Sequence, residues 1–329
     1  MGVLETIGAA ASANLLTPAV LFFALGMLAG WARSDLTIPE QAAKTLALYL
    51  MLCIGFKGGV EARAAGLTGD LVAAGALGLA LSFATPFAAF YVLRLVSKLD
   101  RLTAAATAAH YGSVSVVTFA AGSEVLRGAG VEFGGHMAAV LALMETPAIL
   151  AALLIASRDV AKSSVRQSQS DLMREVLLNG AAVMLVGSFV IGLLTGERGM
   201  ARLEVFVNPL FQGALAVFLL DMGLVASRRF AASPALKPVL VAFAIVWPLI
   251  AAAVAIGFSA LLGLSVGDAA LMAVLAASAS YIAAPAAMRV ALPEADAGVY
   301  LSLSLGITFP FNLLIGIPLY QAAAQFFIG

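Results

Sequence analysis

Long continuous apolar runs constrain this chain more than any other feature of its sequence. In a membrane every backbone N–H and C=O must be bonded within the protein, so a spanning segment is a helix or a strand of a closed barrel. Barrel strands alternate polar and apolar residues, which these runs do not do. The sequence therefore predicts an all-α membrane protein with ten transmembrane helices, at residues 15–32, 42–59, 71–95, 103–126, 137–156, 176–195, 205–226, 239–262, 269–290 and 300–326.

The composition excludes several other classes of protein. Hydrophobic residues make up 62% of the chain and charged residues 11%, so a soluble core of this size cannot hide the apolar surface. A net charge of +0 without a basic tract argues against a nucleic-acid partner. The single Cys53 excludes an internal disulfide and a multi-cysteine zinc site. We expect membrane lipid around the protein and no cofactor.

The basic residues give the ten spans an orientation. With the N-terminus outside, the inner connections carry 13 of the 18 Lys and Arg residues and the outer connections carry 4. Because cytoplasmic connections are enriched in Lys and Arg, this split predicts that both termini face the periplasm of a bacterial inner membrane. The inner set is Arg33, Lys44, Arg94, Lys98, Arg101, Arg158, Lys162, Arg166, Arg174, Arg228, Arg229, Lys237 and Arg289, and the outer set is Arg63, Arg127, Arg198 and Arg202.

A polar, Ser-rich segment at residues 157–174 divides the chain into two repeats, at 1–156 and 175–329. Its composition is that of a solvated cytoplasmic linker, although a docking segment for a cytosolic partner remains an alternative. Each repeat has five spans, and because five is odd, the second repeat is inverted relative to the first. Inverted repeats of this kind are common in secondary transporters.

The two repeats also share polar or glycine-rich interruptions at corresponding places. Residues 55–59 of the second span match 220–223 of the seventh, 110–115 of the fourth match 278–281 of the ninth, and 144–147 of the fifth match 306–312 of the tenth. One such patch alone is ordinary helix packing. Three matched pairs favour a binding site built from broken helices, above all the fourth and ninth spans.

A break near the middle of a span exposes the first N–H groups of its second half, at the positive end of a helix dipole. Two such ends meeting from opposite sides would form a cradle for a small anion. The predicted substrate-binding residues are Gly112, Ser113, Ser115, Ser278, Ser280 and Tyr281.

Oxygen-bearing side chains near the breaks predict a site for a hard monovalent cation. The candidate sodium ligands are Thr118, Glu145, Thr146, Thr308 and Asn312. Two further ionisable residues inside spans, Lys57 and Asp221, occupy matched positions, so we expect them to pair directly or across a gate. For His110 two roles stay open, a hydrogen-bonded strut beside the break and a contact to the substrate.

Five strings of residues closely resemble the Sbt-type sodium-dependent bicarbonate transporters, best known from cyanobacterial carbon-concentrating systems. The resemblance spans about residues 15–320, and the strings are GFKGG (55–59), HYGSVSVVTF (110–119), LFQGALAVFLLDMGL (210–224), ASASYIAAPAAMR (277–289) and GITFPFNLLIGIPLY (306–320).

The resemblance implies a sodium/bicarbonate symporter with sodium as its coupling ion. It also implies a gate domain of spans 1, 2, 6 and 7 and a core domain of spans 3–5 and 8–10, which move against each other like an elevator. A homotrimer and control by a PII-like cytosolic regulator are part of the same implication.

Other functions compete with this interpretation. A sodium-coupled carrier of another small anion would use the same architecture. An intramembrane enzyme would need a matched catalytic motif, and the sequence has no HExxH, GxGD pair or GxSxG. A channel also uses broken helices, but an inverted pair that meets near the midplane favours alternating access.

Overall fold

The computed structural model of this protein describes residues 17–66, 69–160, 180–232 and 236–329. Every regular element within these ranges is a helix. The helices are α1 (Pro18–Trp31), α2 (Glu40–Ala65), α3 (Gly69–Val96), α4 (Arg101–Gly112), α5 (Val116–Gly128), α6 (Met137–Glu145), α7 (Pro147–Val160), α8 (Gly180–Val207), α9 (Pro209–Ala232), α10 (Pro238–Leu261), α11 (Val266–Ala277), α12 (Ala283–Ala291) and α13 (Ala297–Ile328).

Seven helical stretches of the described chain are long and apolar enough to cross a membrane, which supports a multi-pass membrane protein. They are Glu40–Ala64, Gly69–Val96, Met137–Ala156, Val183–Val207, Pro209–Arg229, Pro238–Leu261 and Ala297–Ile328. Two shorter apolar helices, Val20–Trp31 and Val266–Ala277, lie beside them. Three predicted segments lie partly outside the described residues: the start of the first span at 15–16, the linker at 161–174 and the start of the sixth span at 176–179.

The main contacts between helices fall into two groups. Helix α1 packs along α9 and α2 packs along α8, while α3 contacts α4, α6 and α7, and α11 lies between α10 and α13. Buried apolar side chains such as Phe23, Phe211 and Leu219 fill one continuous core between these groups. The short helices α4 and α11 lie inside the bundle, and nearly all of their side chains are buried.

The predicted interruptions at residues 55–59 and 220–223 are wrong as helix breaks, because α2 and α9 run through them without a gap. Their glycines allow neighbouring helices to touch instead. A Cβ at Gly59 would lie 2.0 Å from the Phe189 carbonyl oxygen of α8, and one at Gly223 would lie 2.2 Å from the Phe23 oxygen of α1. Small residues serve close helix packing here, as they commonly do in membranes.

The tenth predicted span also continues without a gap. Within α13, wide π-helical turns occupy Ser302–Thr308 and Asn312–Gly316, on both sides of Phe309–Phe311. A proline lacks an N–H and crowds the carbonyl of the preceding turn, so an ordinary helix kinks there. The wide turns let α13 pass Pro310 and Pro318 while it stays helical.

Candidate functional site: the crossing of two helix gaps

The first gap separates α4 from α5 and consists of Ser113, Val114 and Ser115. Ser113 and Ser115 both have extended backbone conformations, with ψ of 165° and 112°. The Thr118 amide donates to Ser115 Oγ at 3.1 Å, so Ser115 is the N-cap of α5. A serine at this position supplies the acceptor that the first helical turn lacks, which is why the chain restarts as a helix there.

The second gap separates α11 from α12 and contains Ser278, Ser280 and Tyr281. Ser278 is extended, with φ of −76° and ψ of 161°, and its hydroxyl donates to the Leu275 carbonyl at 2.8 Å. The Ala284 amide donates to Ser280 Oγ at 3.2 Å, in the first turn of α12. Pro285 follows in the same turn, where its missing N–H costs no intrahelical bond.

The two gaps cross and are bonded to each other. The Ser115 amide donates to Ser278 Oγ at 2.9 Å. The Ser280 amide donates to the His110 carbonyl at 2.8 Å. The structure thus brings together the two segments that were predicted to form the anion site, and their serines are at most 4% exposed.

These bonds change which groups are available to a ligand. The amides of Ser115, Thr118, Ser280 and Ala284 already have protein acceptors. Among the described residues, no hydrogen bond uses the amides of Val116, Val117 or Ala283, which begin α5 and α12. The sequence reasoning missed these residues because it looked for polar side chains, although the capping position of Ser115 points to the two amides that follow it.

Tyr281 adds a side-chain donor to this set. Its buried hydroxyl has no hydrogen-bond partner among the described atoms, although Ser115 lies nearby. The ring packs edge-on against Phe309, with 5.2 Å between ring centroids, and this contact fixes its direction. A buried hydroxyl without a partner is costly, so it is a natural contact for a bound polar group.

The predicted sodium ligands divide between two sides of the crossing. On one side, Glu145 and Thr146 lie where α6 ends and α7 begins, and the Ser113 hydroxyl donates to the Glu145 carbonyl at 3.2 Å. The Glu145 side chain is 3% exposed, and its Oε2 has no partner among the described atoms. Thr118 is buried in the first turn of α5. This side therefore offers a buried carboxylate oxygen to a cation.

On the other side, Thr308 and Asn312 lie on α13 and are already engaged. The Thr308 hydroxyl donates to the Ala244 carbonyl at 2.7 Å, so the Tyr111 hydroxyl, 2.7 Å away, donates to Thr308. Asn312 Nδ2 donates to the Ala277 carbonyl at 2.8 Å, and Asn312 Oδ1 accepts from Tyr320 at 2.8 Å. Both side chains tie α13 to the gap-bearing helices. The hydroxyls of Tyr111 and Tyr320 hold these two side chains in place.

The expected pair of Lys57 and Asp221 is not formed in this structure, although both residues are described and buried. The Lys57 ammonium lies 4.3 Å from the centre of the Phe211 ring on α9. It lines a small cavity with Glu61, Ser123 and Arg127. In that cluster Arg127 of α5 lies 3.9 Å from Glu61 of α2 and 3.1 Å from Glu124. A direct pair is therefore absent among the described residues, and pairing across the gate stays a prediction.

The His110 ring is anchored through one of its two nitrogens. Its Nδ1 lies 2.6 Å from the Ala106 carbonyl and donates to it, and its ring stacks on Tyr300 with 4.4 Å between centroids. The imidazole is fully buried, while its backbone carbonyl accepts from Ser280. Its backbone thus contributes to the crossing, while its buried Nε2 has no partner among the described atoms, so a contact to the substrate stays a prediction.

The described chain is an all-helical, multi-pass bundle typical of a membrane protein, and the candidate site at the two crossed gaps is buried within it. A sequence model of the Na+-dependent bicarbonate transporter superfamily matches residues 18–325. The chain therefore belongs to that superfamily, which confirms the resemblance seen in its sequence. No curated protein sequence matches the chain.

Proposed function

We propose that this protein is a secondary transporter that imports bicarbonate together with sodium. The observation that carries the proposal is the crossing of the two gaps, where no hydrogen bond among the described residues uses the amides of Val116, Val117 and Ala283. Donors at helix N-termini suit a small oxyanion. The anion would contact the segments around Gly112, Ser113, Ser115, Ser278, Ser280 and Tyr281, mainly through backbone N–H groups.

Sodium would bind beside the anion, and the free carboxylate oxygen of Glu145 makes the Glu145 side the better candidate. Thr146 and Thr118 would complete the oxygen ligands there. Thr308 and Asn312 would contribute through the oxygen lone pairs that their present bonds leave. A cation and an anion bound together offset each other's charge, which lowers the cost of carrying either across a membrane and couples their movement.

The same proposal includes ten spans in two inverted repeats of five. Counting α4 with α5 and α11 with α12 as broken spans, and α1 as one span, adds three to the seven long helices. In this scheme α1, α2, α8 and α9 form the gate and the other helices form the core, which would move past it like an elevator. The bonds of Arg127 to Glu61 and of Gln212 to Glu124 would then join gate to core in one position only.

The location and the assembly are also proposals. The distribution of Lys and Arg favours a bacterial inner membrane with both termini in the periplasm. A reporter enzyme active only in the cytoplasm, fused after Gly329, should therefore be inactive. The family resemblance suggests a homotrimer and a PII-like cytosolic regulator. The mass of the protein in detergent tests the first, and a pull-down with such a regulator tests the second.

The central experiment is uptake of labelled bicarbonate into proteoliposomes that contain the purified protein. We expect accumulation above the outside concentration when sodium is high outside, and none when potassium replaces sodium. Uptake that only equilibrates would indicate a channel. If sodium drove uptake of a different small anion but not of bicarbonate, the proposed substrate would be wrong, while the anion site at the crossing would stand.

A variant separates the sodium assignment from the rest. Glu145→Gln should raise the sodium concentration for half-maximal uptake by about tenfold or more, because an ionised ligand becomes neutral. Glu294→Gln, on an exposed loop, is the matched control. An unchanged sodium dependence in Glu145→Gln would remove Glu145 from the sodium site. Asn312→Ala is a poorer test, since it also leaves the Tyr320 hydroxyl without its acceptor.

A further inference from the structure

Helix α8 changes direction at Gly196, far from the crossed gaps. Gly196 has φ of 56° and ψ of −147°, values that favour glycine and interrupt the helical path. The carbonyls of Leu193 and Leu194 lie in the turn just before this bend. Arg63 of α2 bonds to both carbonyls. Its Nη1 donates to the Leu193 carbonyl at 3.1 Å and also to the Leu194 carbonyl.

The bend opens a cleft of about 950 Å³ between α2 and α8. One part of its wall is apolar and is formed by Phe56, Val60, Ile191, Leu194 and Leu203. The other part is charged and contains Arg63, Glu197, Arg198 and Arg202, which together carry a net charge of +2. No ion pair within the described part of the chain engages Arg198 or Arg202.

This combination suits an amphiphile better than a free ion. A cleft of this size far exceeds the volume of a small anion, and most of its wall is hydrocarbon. Leu194 is 70% exposed and Ile191 54% exposed, so the apolar wall continues into exposed apolar surface of a helix long enough to cross a membrane. Unpaired arginines at the end of such a wall match a phosphate group with acyl chains attached.

We propose that this cleft binds an anionic phospholipid from the leaflet that it faces. Arg198 and Arg202 hold the phosphate, and an acyl chain lies along Phe56, Ile191 and Leu194. Arg63 has a different task, since it caps the bend and positions the second part of α8. The proposal is independent of the ion that the protein transports.

The test measures lipid binding to the purified protein by native mass spectrometry, with phosphatidylglycerol and phosphatidylcholine in separate titrations. We expect tighter binding of phosphatidylglycerol. Arg198→Gln/Arg202→Gln should weaken that binding by roughly 30-fold, since each basic residue near an anionic lipid contributes a factor of about five. Arg198→Lys/Arg202→Lys keeps the charge and should retain most of the binding. Lys98→Gln, an exposed cation elsewhere, should change nothing.

Two further arms distinguish a lipid from other occupants. Ile191→Trp should weaken phosphatidylglycerol binding by filling the apolar wall, and inorganic phosphate at millimolar concentration should not displace the lipid. Equal binding of both lipids would overturn the proposal. Displacement of the lipid by phosphate alone would also overturn it, because it would indicate a site for a free anion. A second copy of the chain that covers the cleft and excludes lipid would overturn it as well.

Discussion

The contact between α2 and α8 and the crossing of the two helix gaps use similar small residues for opposite purposes. At the first, Gly55 and Gly59 sit in unbroken helices and let backbones touch across the interface. At the second, the chain leaves the helix at Ser113 and Ser278, and the two gaps bond to each other. Small residues therefore allow segments of the chain to approach closely in both places. Only the crossing of the two gaps leaves backbone N–H groups available.

The physical difference lies in the caps. A new helix that starts inside a membrane needs acceptors for its first amides, and Ser115 and Ser280 supply them through their hydroxyls. Gly55–Gly59 offers no side-chain oxygen, so leaving the helix there would strand backbone groups in lipid. A run of small residues in a span is thus a packing surface unless a capping serine follows it. Four experiments test this comparison.

The largest effect is expected at the packing contact. Gly59→Leu places a side chain where even a Cβ lies 2.0 Å from the Phe189 carbonyl oxygen, and backbone cannot yield there. The free energy of unfolding should fall by about 3 kcal/mol or more, with little folded protein recovered. Gly187→Leu on α8, where a Cβ meets nothing within 4 Å, is the control and should give a normal yield in size-exclusion chromatography. Equal yields of both variants would contradict the packing role.

A proline at the start of α5 tests the exposed donors without breaking the fold. Val116 is the first helical residue of α5, a position that tolerates proline. The preceding Ser115 is extended, which is the conformation that a following proline favours. Val116→Pro should leave the folded yield unchanged and raise the bicarbonate concentration for half-maximal uptake by roughly 10- to 100-fold, the effect of one hydrogen bond to a charged group.

The equivalent change in the other gap should behave differently. Ala283 follows Ile282, which has helical angles (φ −115°, ψ −62°) that a following proline disfavours. Ala283→Pro should therefore lower both the folded yield and the uptake. If Val116→Pro transports with unchanged affinity, the α5 amides do not bind the anion.

The sequence predicted the helical membrane fold and the segments of the crossing, since apolar length and paired serines are local signals. The interpretation of the sequence grouped the packing segments 55–59 and 220–223 with the broken segments 110–115 and 278–281, because the close approach of a neighbouring helix is not visible in the sequence. The sequence also could not show that Asn312 and Thr308 already have partners, since Ala277 and Ala244 contribute only backbone carbonyls. The separation of Lys57 from Asp221 depends on tertiary packing that no matched position encodes.

A smaller effect is expected where the two gaps bond to each other. Ser278→Ala removes the acceptor of the Ser115 amide and leaves that buried donor unpaired. The free energy of unfolding should fall by about 1–3 kcal/mol, and the rate of bicarbonate uptake should fall with it. Ser97→Ala, which removes a partly buried hydroxyl bonded only within its own region, is the control. A loss in the control as large as that in Ser278→Ala would show that the crossing bond has no special role.

The smallest effect compares a cap outside the membrane with one inside it. Asp100 caps α4 by accepting from the Thr103 amide at 2.9 Å. Partial burial raises the pKa of Asp100, but the hydrogen bonds from Thr103 outweigh it and hold the pKa below its ordinary value. A carboxyl with a lowered pKa stabilises the fold above its unfolded pKa, and this contribution is lost as the pH falls through the folded value. Ser115 carries no charge, so its cap has no such dependence.

Asp100→Ala should therefore lower Tm at pH 7, by the equivalent of about 0.5–1 kcal/mol, and should differ less from the parent protein near pH 3. Asp100→Asn keeps a capping oxygen and should stay close to the parent at pH 7. Ser115→Ala should cost a similar amount at both pH values, because the amide of Thr118 loses a neutral acceptor. The measurement is thermal unfolding of the detergent-solubilised protein at the two pH values. An acid dependence in Ser115→Ala as large as that in Asp100→Ala would mean that the caps inside and outside the membrane do not differ in charge dependence.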